Sequence, residues 1–168
     1  MRFSTIKAIW KNTKSLAKEA PRIALSEDFK ELSILGKELA ELHLNYENGE
    51  MHESVKHNLL ENAEIEGYYD VVQMKKDKKG DRIQYNHHIT ITQIPKTAFD
   101  YVVNGKSKSA IDWVIERYQK TMDKYSLIEN NPNHYAGGKY IFELLCRVIK
   151  LSEKSVDLIE KISMKRFE

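Results

Sequence analysis

Across residues 82–92 the chain alternates strictly. Ile83, Tyr85, His87, Ile89 and Ile91 take one parity, and Gln84, Asn86, His88, Thr90 and Thr92 take the other. Successive side chains of a strand point to opposite faces, so the run predicts a strand with one apolar and one polar face. On either side of it apolar residues recur every three or four positions, which is the period of a helix. A chain that changes period in this way predicts an α+β domain, mostly helical with a small antiparallel sheet. A weaker alternation over 68–74 supplies the second strand of an antiparallel ribbon. The connection 76–81 reads as its hairpin turn, with Gly80 free to take positive φ.

The helical segments follow from their own spacing. Ser26 or Asp28 caps a helix whose apolar positions are Leu32, Leu35, Gly36, Leu39 and Leu42, running to about Tyr46 and ended by Asn48-Gly49. Residues 50–66 are polar and weakly periodic, and read as a loop with one helical turn. Pro95 opens a short helix over 96–103 that closes at Asn104-Gly105. Ser107 or Ser109 caps the next, with Ile111, Val114, Ile115, Tyr118 and Met122 on its inner face; Trp113 and Tyr101 also read as core. Asn130-Asn131-Pro132-Asn133 and Gly137-Gly138 frame a loop before a last helix from about Lys139, whose core face is Ile141, Leu144, Leu145 and Val148. Periodicity leaves open whether that helix continues past Ser152. Residues 1–20 read as a basic helix or arm, and 21–168 as one domain.

Composition excludes several classes. With 168 residues the chain has room for one domain, and a domain of this size buries roughly 70% of the surface its unfolded form exposes, so it needs no covalent staples. Its one cysteine, Cys146, has no partner for an internal disulfide, which fits a reducing compartment. No apolar run approaches the roughly 20 residues that cross a bilayer, so a soluble, cytoplasmic protein with no membrane partner is expected. The net charge of +2 conceals segregation. Residues 1–22 hold six basic and one acidic residue, residues 27–66 hold eleven acidic and three basic, and residues 74–82 hold five basic and two acidic. Such unevenness suits one surface that repels a polyanion and another that accepts one.

Motifs for chemistry are weak. Gly105-Lys106-Ser107 has the end of a phosphate-binding loop, but Asp100 stands where that loop needs its first glycine. Asn131-Pro132-Asn133-His134-Tyr135 is similar to the base-holding loop of amino-methyltransferases but lacks its second proline, and reads as a turn. None of the six histidines lies four residues from another on a helix, so no metal site and no cofactor is predicted. His87, in line with the isoleucines, reads as a hydrogen-bonded histidine at the core edge, pointing away from His88, and His43 reads as hydrogen-bonded in the same way. No catalytic residues are assigned. The turn lysines Lys75, Lys76, Lys78 and Lys79 with Arg82 are candidate phosphate contacts. Gln84, Asn86 and His88 on the polar face are candidates for reading base edges, because cations neutralise phosphates while short amides discriminate bases. The plainer reading of the same residues is a solvated turn beside a polar face that meets solvent or the acidic helix.

Several strings occur together in order: Pro21-Arg22-Ile23-Ala24-Leu25, 39–47 (LAELHLNYE), Tyr85-Asn86 followed by Ile94-Pro95, 101–107 (YVVNGKS), 112–119 (DWVIERYQ), Asn131-Pro132-Asn133 and 145–149 (LCRVI). They resemble the C-terminal specificity region of type ISP restriction-modification enzymes over roughly residues 21–160. The resemblance implies a recognition domain that selects an asymmetric sequence in duplex DNA. The methyltransferase and helicase-like ATPase that use it would belong to the rest of such an enzyme, leaving this part non-catalytic alone. It implies that the chain is a fragment, a separately encoded specificity module or the remnant of a broken reading frame. Base-contacting residues are not transferable by resemblance, so the site prediction stays physical, with Lys106, Lys108, Arg117 and Lys120 extending the phosphate-binding surface along the neighbouring helix. The competing reading is a protein-interaction module whose acidic segment 27–66 docks on methyltransferase or ATPase partners without DNA affinity of its own.

Overall fold

The computed structural model describes residues 27–58, 67–71, 73–102, 108–118, 133 and 138–164. The predicted arm 1–20, the stretch 21–25, Met122, and the site candidates Lys106 and Lys120 lie outside the described residues.

Among the described residues three helices and four short strands form the domain, in the expected α+β class. Helix α1 spans Glu27–Leu44 and is followed by a 3-10 turn, Tyr46–Asn48. Strands β1 (Val55–His57), β2 (Lys75–Lys76), β3 (Ile83–Gln84) and β4 (Ile89–Ile91) form one antiparallel sheet in the order β1-β4-β3-β2. A 3-10 turn at Lys96–Asp100 leads through a bridge between Val102 and Ser109 into α2, Ala110–Tyr118. Helix α3, Tyr140–Met164, runs unbroken past Ser152 for 25 residues. None of the described helices is long and apolar enough to cross a membrane.

The sheet differs from the expected ribbon in three places. Residues 82–92 are a hairpin, not one strand, because the chain reverses between Tyr85 and Ile89. The Asn86 Oδ1 atom accepts the backbone N–H groups of His88 (2.9 Å) and Ile89 (2.8 Å), and so offers the backbone a turn in place of a continued ladder. His87 therefore sits exposed at the turn rather than at the core edge, and the His87 and His88 rings lie 3.9 Å apart instead of pointing opposite ways. Residues 68–71, 73 and 74 form a turn and irregular backbone instead of a strand: Asp70 N–H bonds the Gly67 carbonyl, and the Asn86 amide takes the carbonyls of Tyr68 and Asp70. Finally, Val55–His57, expected as loop, adds an edge strand to β4. The predicted turn at 76–81 does form, with Gly80 at φ 74°.

The core lies between the inner sheet face and α3. Ile83, Ile89 and Ile91 are fully buried from the sheet, joined by Ile111, Val114 and Ile115 from α2 and by Ile141, Leu144, Leu145 and Ile149 from α3. Full burial of such side chains contributes about 1.5–3 kcal/mol each. Tyr85 closes one end, its ring 5.5 Å from Phe142 and its hydroxyl donating to the Tyr69 carbonyl. Of the two serines proposed as cap, Ser107 lies outside the described residues and Ser109 makes cap bonds. Its Oγ accepts Asp112 N–H at 3.0 Å and donates to the Asp112 carboxylate at 2.8 Å, which satisfies a helix-end donor. The short helix expected over 96–103 is the 3-10 turn, which stops at Asp100. Trp113, expected in the core, is 46% exposed and lines a hollow between the helices.

Candidate nucleic-acid interface

Register decides which side chains share a face of the sheet. Val55, Ile91, Ile83 and Lys76 lie opposite one another across the four strands, and this row faces the core. The adjacent row, Lys56–Thr90–Gln84–Lys75, must then face outward, and Lys56, Gln84 and Lys75 are exposed while Thr90 is half-buried. A lysine stands at each edge of that row, with an amide and a hydroxyl between them. Three strand steps separate the edges, about 14 Å, close to the roughly 12 Å width of the DNA major groove.

The turn between β2 and β3 adds to the same end of the sheet. Asp77 Oδ1 accepts the N–H groups of Gly80 (2.7 Å) and Asp81 (3.2 Å), which fixes the loop and leaves Lys78 and Lys79 exposed at its tip. Desolvation pushes the Asp77 carboxyl upward, but bonds from Gly80, Asp81 and Arg82 outweigh it and hold the group below its ordinary range. Its negative charge is thus occupied within the turn. Arg82 is exposed, and its only ionic neighbour among the described residues, Asp81, lies 3.7 Å from Nε. Among the described residues no ion pair engages Lys56, Lys75, Lys78 or Lys79.

The other sequence candidates divide sharply. Lys76 stands directly opposite Ile83 and turns to the core side, where it pairs with Asp112 of α2 and lies 4.9 Å from the centre of the Phe99 ring. Lys108 pairs with Glu116, and Arg117 is exposed in the last turn of α2. Asn86 is 5% exposed, with its amide spent on four backbone groups, those of Tyr68, Asp70, His88 and Ile89. His88 is half-buried, its ring stacked on Tyr68 at 5.0 Å and 11°. Of the three base-reading candidates, Gln84 alone combines exposure with an amide not engaged by the fold.

Sequence reasoning missed Lys56, since it lies in a segment read as loop. Gln73 and His87 also escaped, the first in a supposed strand and the second on its supposed inner face. Only pairing partners could have revealed them. With Lys75, Gln84 and Asn86 these two residues line a shallow groove of about 130 Å³ on the outward face. A larger apolar hollow of about 430 Å³ between the helices is lined by Tyr46, Tyr101, Trp113, Tyr118 and Tyr140 among others, and among the described residues no carboxamide reaches it.

Other chemistry is poorly served. Among the described residues no group of three His, Cys, Asp or Glu side chains is placed to hold a metal ion. Burial pushes the Cys146 thiol up to about 12, far from a reactive thiolate. Burial likewise raises the Tyr85 and Tyr101 hydroxyls, and Tyr101 bonds His43, whose other ring nitrogen meets the Leu39 carbonyl.

Among curated proteins none matches. Several solved structures match over most of the chain. One, the ATP-dependent Type ISP restriction-modification enzyme LlaBIII bound to DNA, is 42% identical with a TM-score of 0.63, covering 84% of this chain and 9% of that one. Another, a nuclease-deletion mutant of the Type ISP enzyme LlaGI in complex with a DNA substrate mimic, is 39% identical with a TM-score of 0.63, covering 86% and 13%. A DrdV–DNA complex, 20% identical with a TM-score of 0.58, shares the fold. The chain therefore spans about a tenth of the length of the enzymes it matches. The family model of the Type ISP C-terminal specificity domain matches residues 10–144, and the chain belongs to that family.

Proposed function

We propose that this chain is a duplex DNA sequence-recognition module and that its outward sheet face is the surface that meets DNA. The observation that carries the reading is the cross-strand row Lys56–Thr90–Gln84–Lys75, cationic at both edges and amide-bearing in the middle. Phosphate contacts position a protein on DNA, and groups that reach base edges supply preference. Lys56, Lys75, Lys78, Lys79 and Arg82 fill the first role and Gln84 the second. Lys108, just before α2 and paired with Glu116, and Arg117, in its last turn, belong to the helix that Lys76 meets on the core side of the sheet and form no part of the outward row. Asn86 and His88 hold the hairpin in shape, and Lys76 fastens it to α2.

In this reading the chain makes and breaks no bonds. It places a DNA site for methyltransferase and helicase-like parts of a larger restriction-modification enzyme, the arrangement that the matched enzymes and the chain's share of their length support. The test is fluorescence anisotropy of the full chain on labelled duplexes across a salt series. Log affinity is expected to fall linearly with log salt, by about 0.9 per phosphate contact. A chain that associates with no duplex at low salt overturns the proposal.

A further inference from the structure

The groove between β2 and β3 is small and open, and its lining has an unusual mixture of groups. Two primary carboxamides, Gln73 and Gln84, stand with one ammonium, Lys75, and one imidazole, His87; all four are exposed. The fifth residue, Asn86, is the floor. Its amide is satisfied by four backbone groups, so the positions of Gln84 and His87 on either side of it are fixed by the turn that it builds. Among the described residues no carboxylate lines the groove.

Resting on the DNA-binding reading above, we infer that this groove is the base-reading subsite of the domain, and that it takes the major-groove edge of a purine step containing adenine. A carboxamide offers a donor and an acceptor side by side, which matches the N7 acceptor and N6 donor of adenine. Of the other bases, guanine shows two acceptors there, cytosine a donor and thymine an acceptor beside a methyl group, so none offers that pair. Lys75 adds a donor for a neighbouring guanine, whose O6 and N7 both accept, and His87 adds a donor for a second N7 or a flanking phosphate. Lys56 and Lys75 at the row's edges supply the positioning charge that brings the amides to depth.

The experiment uses the full chain and a randomised duplex library, selected with the natural protein and with Gln84→Ala, Gln73→Ala and Lys79→Ala. The natural protein is expected to prefer adenine at one position at least, and Gln84→Ala to erase that preference by between about fivefold and about 150-fold while the salt slope stays unchanged. Lys79→Ala should weaken all sequences alike. A duplex with 7-deazaadenine at the preferred position lacks the N7 acceptor; it should weaken the natural protein and leave Gln84→Ala or Gln73→Ala indifferent. If the natural protein selects sequences but none of these glutamine changes alters the preference, the groove is not the reading site, and the DNA-binding proposal stands. A natural protein without salt-dependent DNA binding ends both.

Discussion

Replacing Asn86 by alanine removes four hydrogen bonds at once and strands the backbone groups that made them. With net contributions of about 0.5–1.5 kcal/mol per bond, and more where a buried group is left unsatisfied, a loss of about 2–4 kcal/mol is expected in urea denaturation. Any DNA-binding defect of Asn86→Ala should track that loss and affect all sequences alike. Sequence alone made Asn86 a base reader because parity placed it beside Gln84. The alternation was sound, and Ile83, Tyr85, Ile89 and Ile91 are all buried. It was blind to the reversal because pairing Ile83 with Ile91 and Gln84 with Thr90 joins residues of the same parity across a three-residue loop. Period two survives such a turn, so the hairpin was invisible while its inner face was not.

At the scale of the element, the β2–β3 turn separates charge by face. Lys78 and Lys79 stand free, whereas Lys76 is tied to Asp112 beneath the sheet. Joint replacement of Lys78 and Lys79 by alanine should lower the salt slope by about 2. Lys76→Ala should leave the slope unchanged and lower stability instead. Five basic residues in nine were legible as a cluster, but no count of charges shows which point down. The turn also carries a pH signature. The Asp77 carboxyl is held below its ordinary value of 3.8, so its contribution is present at neutral pH and fades as pH falls through that depressed value. Asp77→Asn keeps the accepting oxygen and loses the titration. The natural protein's urea midpoint should therefore drop more steeply below about pH 4 than the variant's.

At the scale of the whole molecule, α3 is the spine, about 37 Å long by its rise per residue. It meets α1, α2 and both 3-10 turns, and its Cys146 carbonyl accepts His52 N–H just before the edge strand begins. Cys146 is 1% exposed with its thiol raised to about 12, so alkylation at pH 8 should be negligible in the native protein. It should accelerate in parallel with urea unfolding, and brisk labelling without urea would show that the core around α3 opens on its own. The core face of this helix was readable from Ile141, Leu144, Leu145 and Val148, since a long amphipathic period is the strongest signal a sequence carries. The contact of β1 with β4 was not, because it joins residues more than thirty apart through three-residue strands too short to display a pattern.

One property of the sheet reaches beyond this chain. The pleat assigns folding to residues of odd number on β3 and β4 and leaves the even ones, Gln84 and Thr90, to the surroundings. On the proposed interface, drift at these even sites would retune which target is chosen while the odd sites keep the scaffold intact, so new preferences would arise by single substitutions at little cost to folding. A one-residue insertion within β4 would instead exchange the two sets, abolishing the scaffold and the preference together.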